Sequence, residues 1–185
     1  MAKVQALAYV VAESTDVSKW KQYAEQVLGA ATSTAPDGGL YLKIDERSFR
    51  LAVVKGAADR YLASGWEVGS KADFDATVAA IRNAGVAVEA GSDALKKARS
   101  VIDIAVFTDP SGNRHELSYG YNGGESKFVS PAGVAGFKTG AQGMGHTVLP
   151  TLNFDATLAF FRDVLGFGLS DVFNFQPGPD APVMR

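Results

Sequence analysis

The chain has 185 residues, with 18 Lys and Arg against 20 Asp and Glu for a formal net charge of -2, and it is 46% hydrophobic and 21% charged. These proportions are those of a folded globule rather than a disordered chain, and they argue against a polyanion-binding surface. Cysteine is absent, which excludes disulfides, thiolate metal sites and a Cys nucleophile, and the two histidines, His115 and His146, bound the metal and acid–base chemistry available.

No apolar run is long enough to cross a bilayer, and the opening residues lack the pattern of a signal peptide, so a cytoplasmic protein without nucleic-acid or membrane partners is expected. Residues 4–12, VQALAYVVA, predict a buried strand. Asp16 is the candidate N-cap of a helix in which Trp20, Tyr23, Ala24, Val27 and Leu28 recur at helical spacing, with Gly29 as its stop. A polar loop at 32–39 leads to LYLKI at 40–44 and FRLAVV at 49–54, two strands joined by a turn around Asp45–Ser48. The next strand is expected at 61–68, followed by a helix opening with FDAT at Phe74 and capped by Asp73. After VAVEAG, the charged stretch 92–99, with Lys96, Lys97 and Arg99, is expected to be a solvated loop or helix turn. VIDIAVFTD at 101–109, the tight turn DPSGN and the strand RHELSYG at 114–120 complete this part. Residues 121–140 read as a connector rich in Gly and Ser. A strand at 144–150, a cap at Asn153 and a helix from Phe154 follow, and then the Pro-rich QPGPDAPVMR.

The chain repeats itself. FDATVAAIRNAGVAV at Phe74 and FDATLAFFRDVLGFGL at Phe154 share their first four residues, 80 positions apart. That spacing lays Gly65-Trp66 on Gly145-His146. VSKWKQYAEQVLGA matches TLAFFRDVLGF with Gly29 on Gly166, and this second spacing, 137, lays Tyr9 on His146. The pattern predicts an α+β fold of paired βαβββ modules, at roughly 3–57 and 58–120, and the opening strand and helix of a third. Residues 1–120 form a complete domain, 121–140 connect, and 141–185 begin a second domain that does not finish. A strand and helix with no sheet to cover them bury too little surface to stand alone, so the rest is expected from further chain or from a partner.

Paired βαβββ modules resemble the vicinal oxygen chelate superfamily of glyoxalase I, bleomycin-resistance proteins and extradiol dioxygenases. GMGHTVLPTLNFDATLAFFRDVLGFGLSDVF resembles the opening of the metal-bearing second domain of two-domain, type I extradiol catechol dioxygenases of the 2,3-dihydroxybiphenyl 1,2-dioxygenase group. DPSGNRHELSYG and RYLASGWEV resemble segments of their metal-free first domain. The resemblance implies that His146 is a ligand of iron(II), and that Val148, two residues further on the same strand face, walls the catechol pocket. It implies no catalytic residue within the chain itself. The other two ligands would lie beyond residue 185, at about positions 203 and 253 if the modules repeat evenly. One imidazole does not hold iron alone, so the chain by itself should be inactive.

The repeat puts Tyr9 and Trp66 where metal-bearing modules carry ligands, which implies a first-domain pocket packed with aromatic rings. Glu116 stands where a module would place its carboxylate ligand and reads as a hydrogen-bonded structural carboxylate. His115, on the other face of that strand, reads as a surface or interface residue. Phe173 and Phe175 are further candidates near the pocket. The implied activity is extradiol cleavage of a substituted or bicyclic catechol with O2, in a homo-oligomer. The rival reading is a non-catalytic aromatic- or drug-binding protein of the bleomycin-resistance type, with Tyr9 and Trp66 sharing a cleft.

Overall fold

The computed structural model describes residues 4–141, 143–174, 176 and 179. Its centre is an eight-stranded sheet. The first module supplies β1 (Ala6–Ser14), α1 (Val17–Tyr23), β2 (Ala31–Thr34), β3 (Leu40–Lys43) and β4 (Leu51–Lys55). The second supplies β5 (Arg60–Glu67), α2 (Lys71–Asn83), β6 (Val88–Ala90), α3 (Asp93–Arg99), β7 (Val101–Thr108) and β8 (Arg114–Tyr121). The strand order β2-β3-β4-β1-β5-β8-β7-β6 gives each module one half of the sheet. In both halves the first strand lies parallel to the last, β1 with β4 and β5 with β8, and the halves join where β1 runs antiparallel to β5. The internal repeat is therefore a repeat of topology, and the α+β fold of paired modules is as the sequence implies.

β1 is an unbroken apolar run rather than an alternating one because it lies at the centre of the sheet and is covered on both faces. One face packs under helices: Leu7, Val10, Trp66, Leu117 and Phe107 meet Phe74 and Ile81 of α2. The other face gathers Tyr9, Val11, Tyr41, Phe49, Ala52 and Ala63. A register shift in β1 between Leu7 and Tyr9 turns Leu7 to the helices and Tyr9 to the opposite face, although the two are an even number of residues apart. Four strands separate β3 from β7, yet the Tyr41 hydroxyl donates to the carbonyl of Ala98, just before β7, at 2.6 Å. The sheet is thus curled into a cup, with the Tyr9 face inside. Across its mouth Arg47 makes a two-pronged ion pair with Glu67 at 2.7 and 3.0 Å and lies over the Tyr121 ring.

Asp16 caps α1 by accepting from the amides of Ser18 and Lys19. The helix widens into a π-helical turn at Ala24–Leu28 and ends at Gly29, whose φ of 71° is the left-handed conformation a helix stop requires. The loop expected at 32–39 opens with β2, and the charged stretch at 92–99 is helix α3, capped by Ser92. α2 begins before FDAT: Ser70 is its cap, and Asp73, expected as the cap, is the third helical residue, whose N–H donates to Ser70 Oγ and whose carboxylate accepts from the Ser70 hydroxyl. In the later copy α4 (Phe154–Ala159) does start at FDAT, after Asn153, and it too widens into a π-helical turn, at Phe160–Val164.

Residues 122–152 contain no helix and no strand of the sheet among the described residues. They hold to the first two modules at a few points: Ser126 N–H to the Glu46 carbonyl, the Ser130 hydroxyl to the Gly29 carbonyl, and Met144 N–H to the Leu7 carbonyl. The strand expected at 144–150 does not form, and only an isolated bridge from Gly143 to Leu7 marks its start. Strand geometry needs a neighbouring strand, and none lies beside this stretch. The segment is nevertheless anchored, because Phe160 and Leu165 are buried in the same core as Trp66 and Phe107.

At the seam of the modules Gly65 lies under the Tyr9 ring, and a Cβ there would sit 2.3 Å from a ring carbon. Gly65→Ala is expected to cost about 1–3 kcal/mol through overpacking. Urea unfolding should show this as a lower midpoint at an unchanged slope.

Candidate functional site

Glu116 lies on the inner face of the cup, fully buried, and four donors converge on its carboxylate. Oε2 accepts from the Tyr9 hydroxyl at 2.9 Å and from Arg99 Nε at 2.7 Å. Oε1 accepts from Arg99 Nη2 at 3.3 Å and from Arg114 Nη2 at 3.0 Å. Burial opposes the charge, but the Arg99 guanidinium outweighs it and holds the carboxyl below its ordinary range. Burial, and then the neighbouring Glu116 charge, push the Tyr9 hydroxyl well above its ordinary value. Around this cluster the cup is full: Tyr41 stacks on Phe49 at 4.2 Å and only about 10 Å³ remains free. The carboxylate is structural, and an arginine stands where a cation would.

Arg99 corrects the reading of residues 92–99 as a solvated stretch. Lys97 fits that description, but Arg99, at the end of α3, turns inward and is 4% exposed. Only the pairing of strands singles it out: Arg99 lies two residues before β7, which pairs with the strand carrying Glu116.

Trp66 and His115 also depart from expectation. Trp66 faces the helices, opposite to Tyr9, so the two share no cleft. The register shift in β1 breaks the parity that the repeat assumes. His115 is on the opposite face from Glu116, as strand alternation requires, but that face is covered by the helical layer, and the ring is fully buried. Trp66 Nε1–H donates to His115 Nδ1 at 3.0 Å, and His115 Nε2 lies 3.2 Å from Asp109 Oδ2. Both ring nitrogens are engaged, so His115 offers no lone pair to a ligand.

His146 is exposed and lies on the wall of a groove of about 530 Å³. The groove runs between the start of β1, from Val4 to Leu7, and the chain at Gly166–Gly168, with Trp66, Phe161 and Phe167 among its lining. Trp66 meets Phe167 edge to face at 5.0 Å and Phe161 at 6.2 Å, which makes an aromatic floor. Among the described residues His146 has no side-chain hydrogen bond. Val148 is 84% exposed and Phe173 78% exposed, neither of them lining this groove, and Phe175 lies outside the described residues. Among the described residues no three His, Cys, Asp or Glu side chains gather where they could hold a metal ion. The residues present do not complete an iron site: of the two imidazoles and the central carboxylate, only His146 is available.

Arg99→Met is expected to destabilise the protein by about 3–5 kcal/mol, since it leaves a buried carboxylate without its main counter-charge. Adding Glu116→Leu should recover a large part of that loss. Chemical denaturation of the two variants beside the parent measures both.

The family model for the "Dihydroxybiphenyl dioxygenase BphC D1" domain matches residues 7–56. The chain is 39% identical over 176 residues to a 3-methylcatechol 2,3-dioxygenase of Pseudomonas putida, covering 95% of this chain and 60% of that protein. It is 37% identical over 181 residues to a biphenyl-2,3-diol 1,2-dioxygenase of Paraburkholderia xenovorans, covering 97% and 61%. An iron-dependent extradiol dioxygenase of Rhodococcus jostii is 39% identical over 175 residues, covering 94% and 58%. The crystal structure of a catechol 2,3-dioxygenase superposes with a TM-score of 0.90 at 27% identity, covering 99% of this chain and 61% of that one. The chain thus spans about 60% of the length of the curated relatives it matches. In sequence the chain is similar to extradiol dioxygenases, and in the paired modules of its sheet it has the fold those enzymes share, that of the vicinal oxygen chelate proteins.

Proposed function

We propose that the polypeptide carrying this chain is an extradiol ring-cleaving dioxygenase. It opens a substituted or bicyclic catechol next to its diol, and both atoms of O2 enter the product. The reading makes His146 one ligand of a ferrous iron whose other two ligands follow Arg185 in sequence. Val148 would face the catechol once residues 144–150 pair as a strand with that further chain. The observation that carries the reading is that the one uncommitted imidazole of the chain lies on the wall of an aromatic-floored groove, in a segment anchored to the first sheet. His115 and Glu116, the other residues that could serve a metal, are each tied to protein partners. In this reading residues 4–121 contribute no chemistry. They form the rigid body against which the His146 segment is set.

The rival, an aromatic-binding protein with a cleft between Tyr9 and Trp66, has less support, because the cup is filled and the two rings face opposite ways.

Oxygen uptake distinguishes the outcomes. The 185-residue chain with ferrous iron and 2,3-dihydroxybiphenyl should consume no more O2 than iron alone. The natural gene product should have a mass above 19.5 kDa and consume one O2 per catechol. In it His146→Ala should lower iron affinity by about 100-fold or more while the circular dichroism spectrum stays unchanged. Turnover by the 185-residue chain, or tight iron binding by the His146→Ala protein, would overturn the assignment.

A further inference from the structure

The tight turn between β7 and β8 is built around one carboxylate. Asp109 Oδ1 accepts the backbone amides of Ser111 and Asn113, both at 2.9 Å. Oδ2 accepts Asn113 Nδ2 at 2.9 Å and faces His115 Nε2 at 3.2 Å. Trp66 can only donate, so His115 Nδ1 carries the lone pair, and the hydrogen of the ring is on Nε2, pointing at Asp109. Burial pushes the Asp109 carboxyl up, but hydrogen bonds from His115 and Asn113 outweigh it and hold it down at about 2.

The outer side of this turn holds the segment that follows His146. The second hydrogen of the Asn113 amide donates to the Pro150 carbonyl at 2.9 Å. The Ser111 hydroxyl accepts Asn153 N–H at 3.1 Å and pairs with the Thr157 hydroxyl at 2.7 Å. A continuous chain therefore runs from the indole of Trp66 through His115, Asp109 and Asn113 to the backbone four residues beyond His146. The same indole touches the far end of that segment through Phe161 and Phe167, and Phe161 also meets the His115 ring edge-on at 5.4 Å. The two routes form a closed circuit, of which Trp66, Phe161 and Phe167 line the His146 groove.

We propose that His115 is a positioning residue: through Asp109 and Asn113 it fixes the 150–157 backbone and so sets the course of the segment that carries His146. Its significance for catalysis rests on the reading of His146 as a ligand; the coupling itself does not. A purely structural His115 would fill space and support the core, and any side chain of suitable size could replace it. A positioning His115 must donate to Asp109.

Two substitutions separate these cases. His115→Asn retains an acceptor near Nδ1 for Trp66 but cannot reach Asp109, whereas His115→Gln reaches Asp109 with a donor. Amide hydrogen exchange on the 185-residue chain, without iron or catechol, supplies the readout. His115→Asn should speed exchange at Asn153 and Thr157 by about 10-fold or more, the loss of roughly one hydrogen bond, with the amides of α2 unchanged. His115→Gln should return both to within about 3-fold of the parent. Asn113→Ala, which cuts the outer link and leaves the core untouched, should give the same acceleration without altering the Trp66 indole resonance. Nitrogen-15 shifts of His115 should show the hydrogen on Nε2. Equal exchange at Asn153 in the two His115 variants, acceleration of α2 in step with Asn153, full protection in Asn113→Ala, or an Nδ1–H ring would each overturn the proposal. Because no turnover is measured, its failure is separate from failure of the dioxygenase reading.

Discussion

The negative charge of Glu116 sits fully buried at the middle of an eight-stranded sheet, and the inner face of the cup is organised by the need to neutralise it. Desolvating a carboxylate costs several kcal/mol even after relaxation, so it persists only where its lone pairs are met by well-placed donors. Here the donors come from three elements: Tyr9 on β1, Arg99 at the end of α3, and Arg114 on β8 itself. Tyr9 reaches the carboxylate across β5, passing over Gly65, so the cluster clamps the seam where the two modules meet. A guanidinium does here what a bound cation does in a metal centre, with directional hydrogen bonds instead of coordination. Because that positive charge is covalently part of the chain, the cup is closed as soon as the chain folds, and no ligand is needed to complete it.

The sequence made the topology legible because the repeat is carried by packing. In both copies of FDAT the threonine, Thr77 and Thr157, is buried, and Gly29 and Gly166 recur since each helix ends in the same left-handed turn. Side-chain parity correctly put His115 and Glu116 on opposite faces. Parity says nothing of what covers each face, however, and a residue that reads as surface or interface, His115, lies under a helical layer. The misplacement of Trp66 has a local cause: one register shift in β1 inverts the face sequence that an even spacing assumes. Arg99 was illegible for another reason. In DALKKARS all the cations look alike, and only the tertiary pairing of β7 with β8 selects the one that turns inward.

Local resemblance singles out His146, whose imidazole lies on the groove wall, but its surroundings are not legible in the sequence. Residues 144–150 carry the pattern of a strand, but a strand is a relation between two backbones, and beside this stretch there is only the single bridge from Gly143 to Leu7. The groove lining, contributed by the start of β1 and the turn after Val164, combines segments more than 140 positions apart, which no motif encodes.

The segment that carries His146 therefore has two sides of different standing. On one side Phe160 and Leu165 belong to the core of the first sheet, and Thr157 is tied to the turn of β7 and β8. On the other, Leu152 is 94% exposed and Val148 84%. The anchoring side is complete without the covering one, since its contacts involve only the first two modules. It follows that the first sheet can fix the direction of this segment before anything packs on its outer side. Whatever completes that outer side meets a template whose orientation is already set by Trp66, His115 and the turn at Asp109, and the geometry around His146 inherits its precision from that buried platform rather than from the exposed residues beside it.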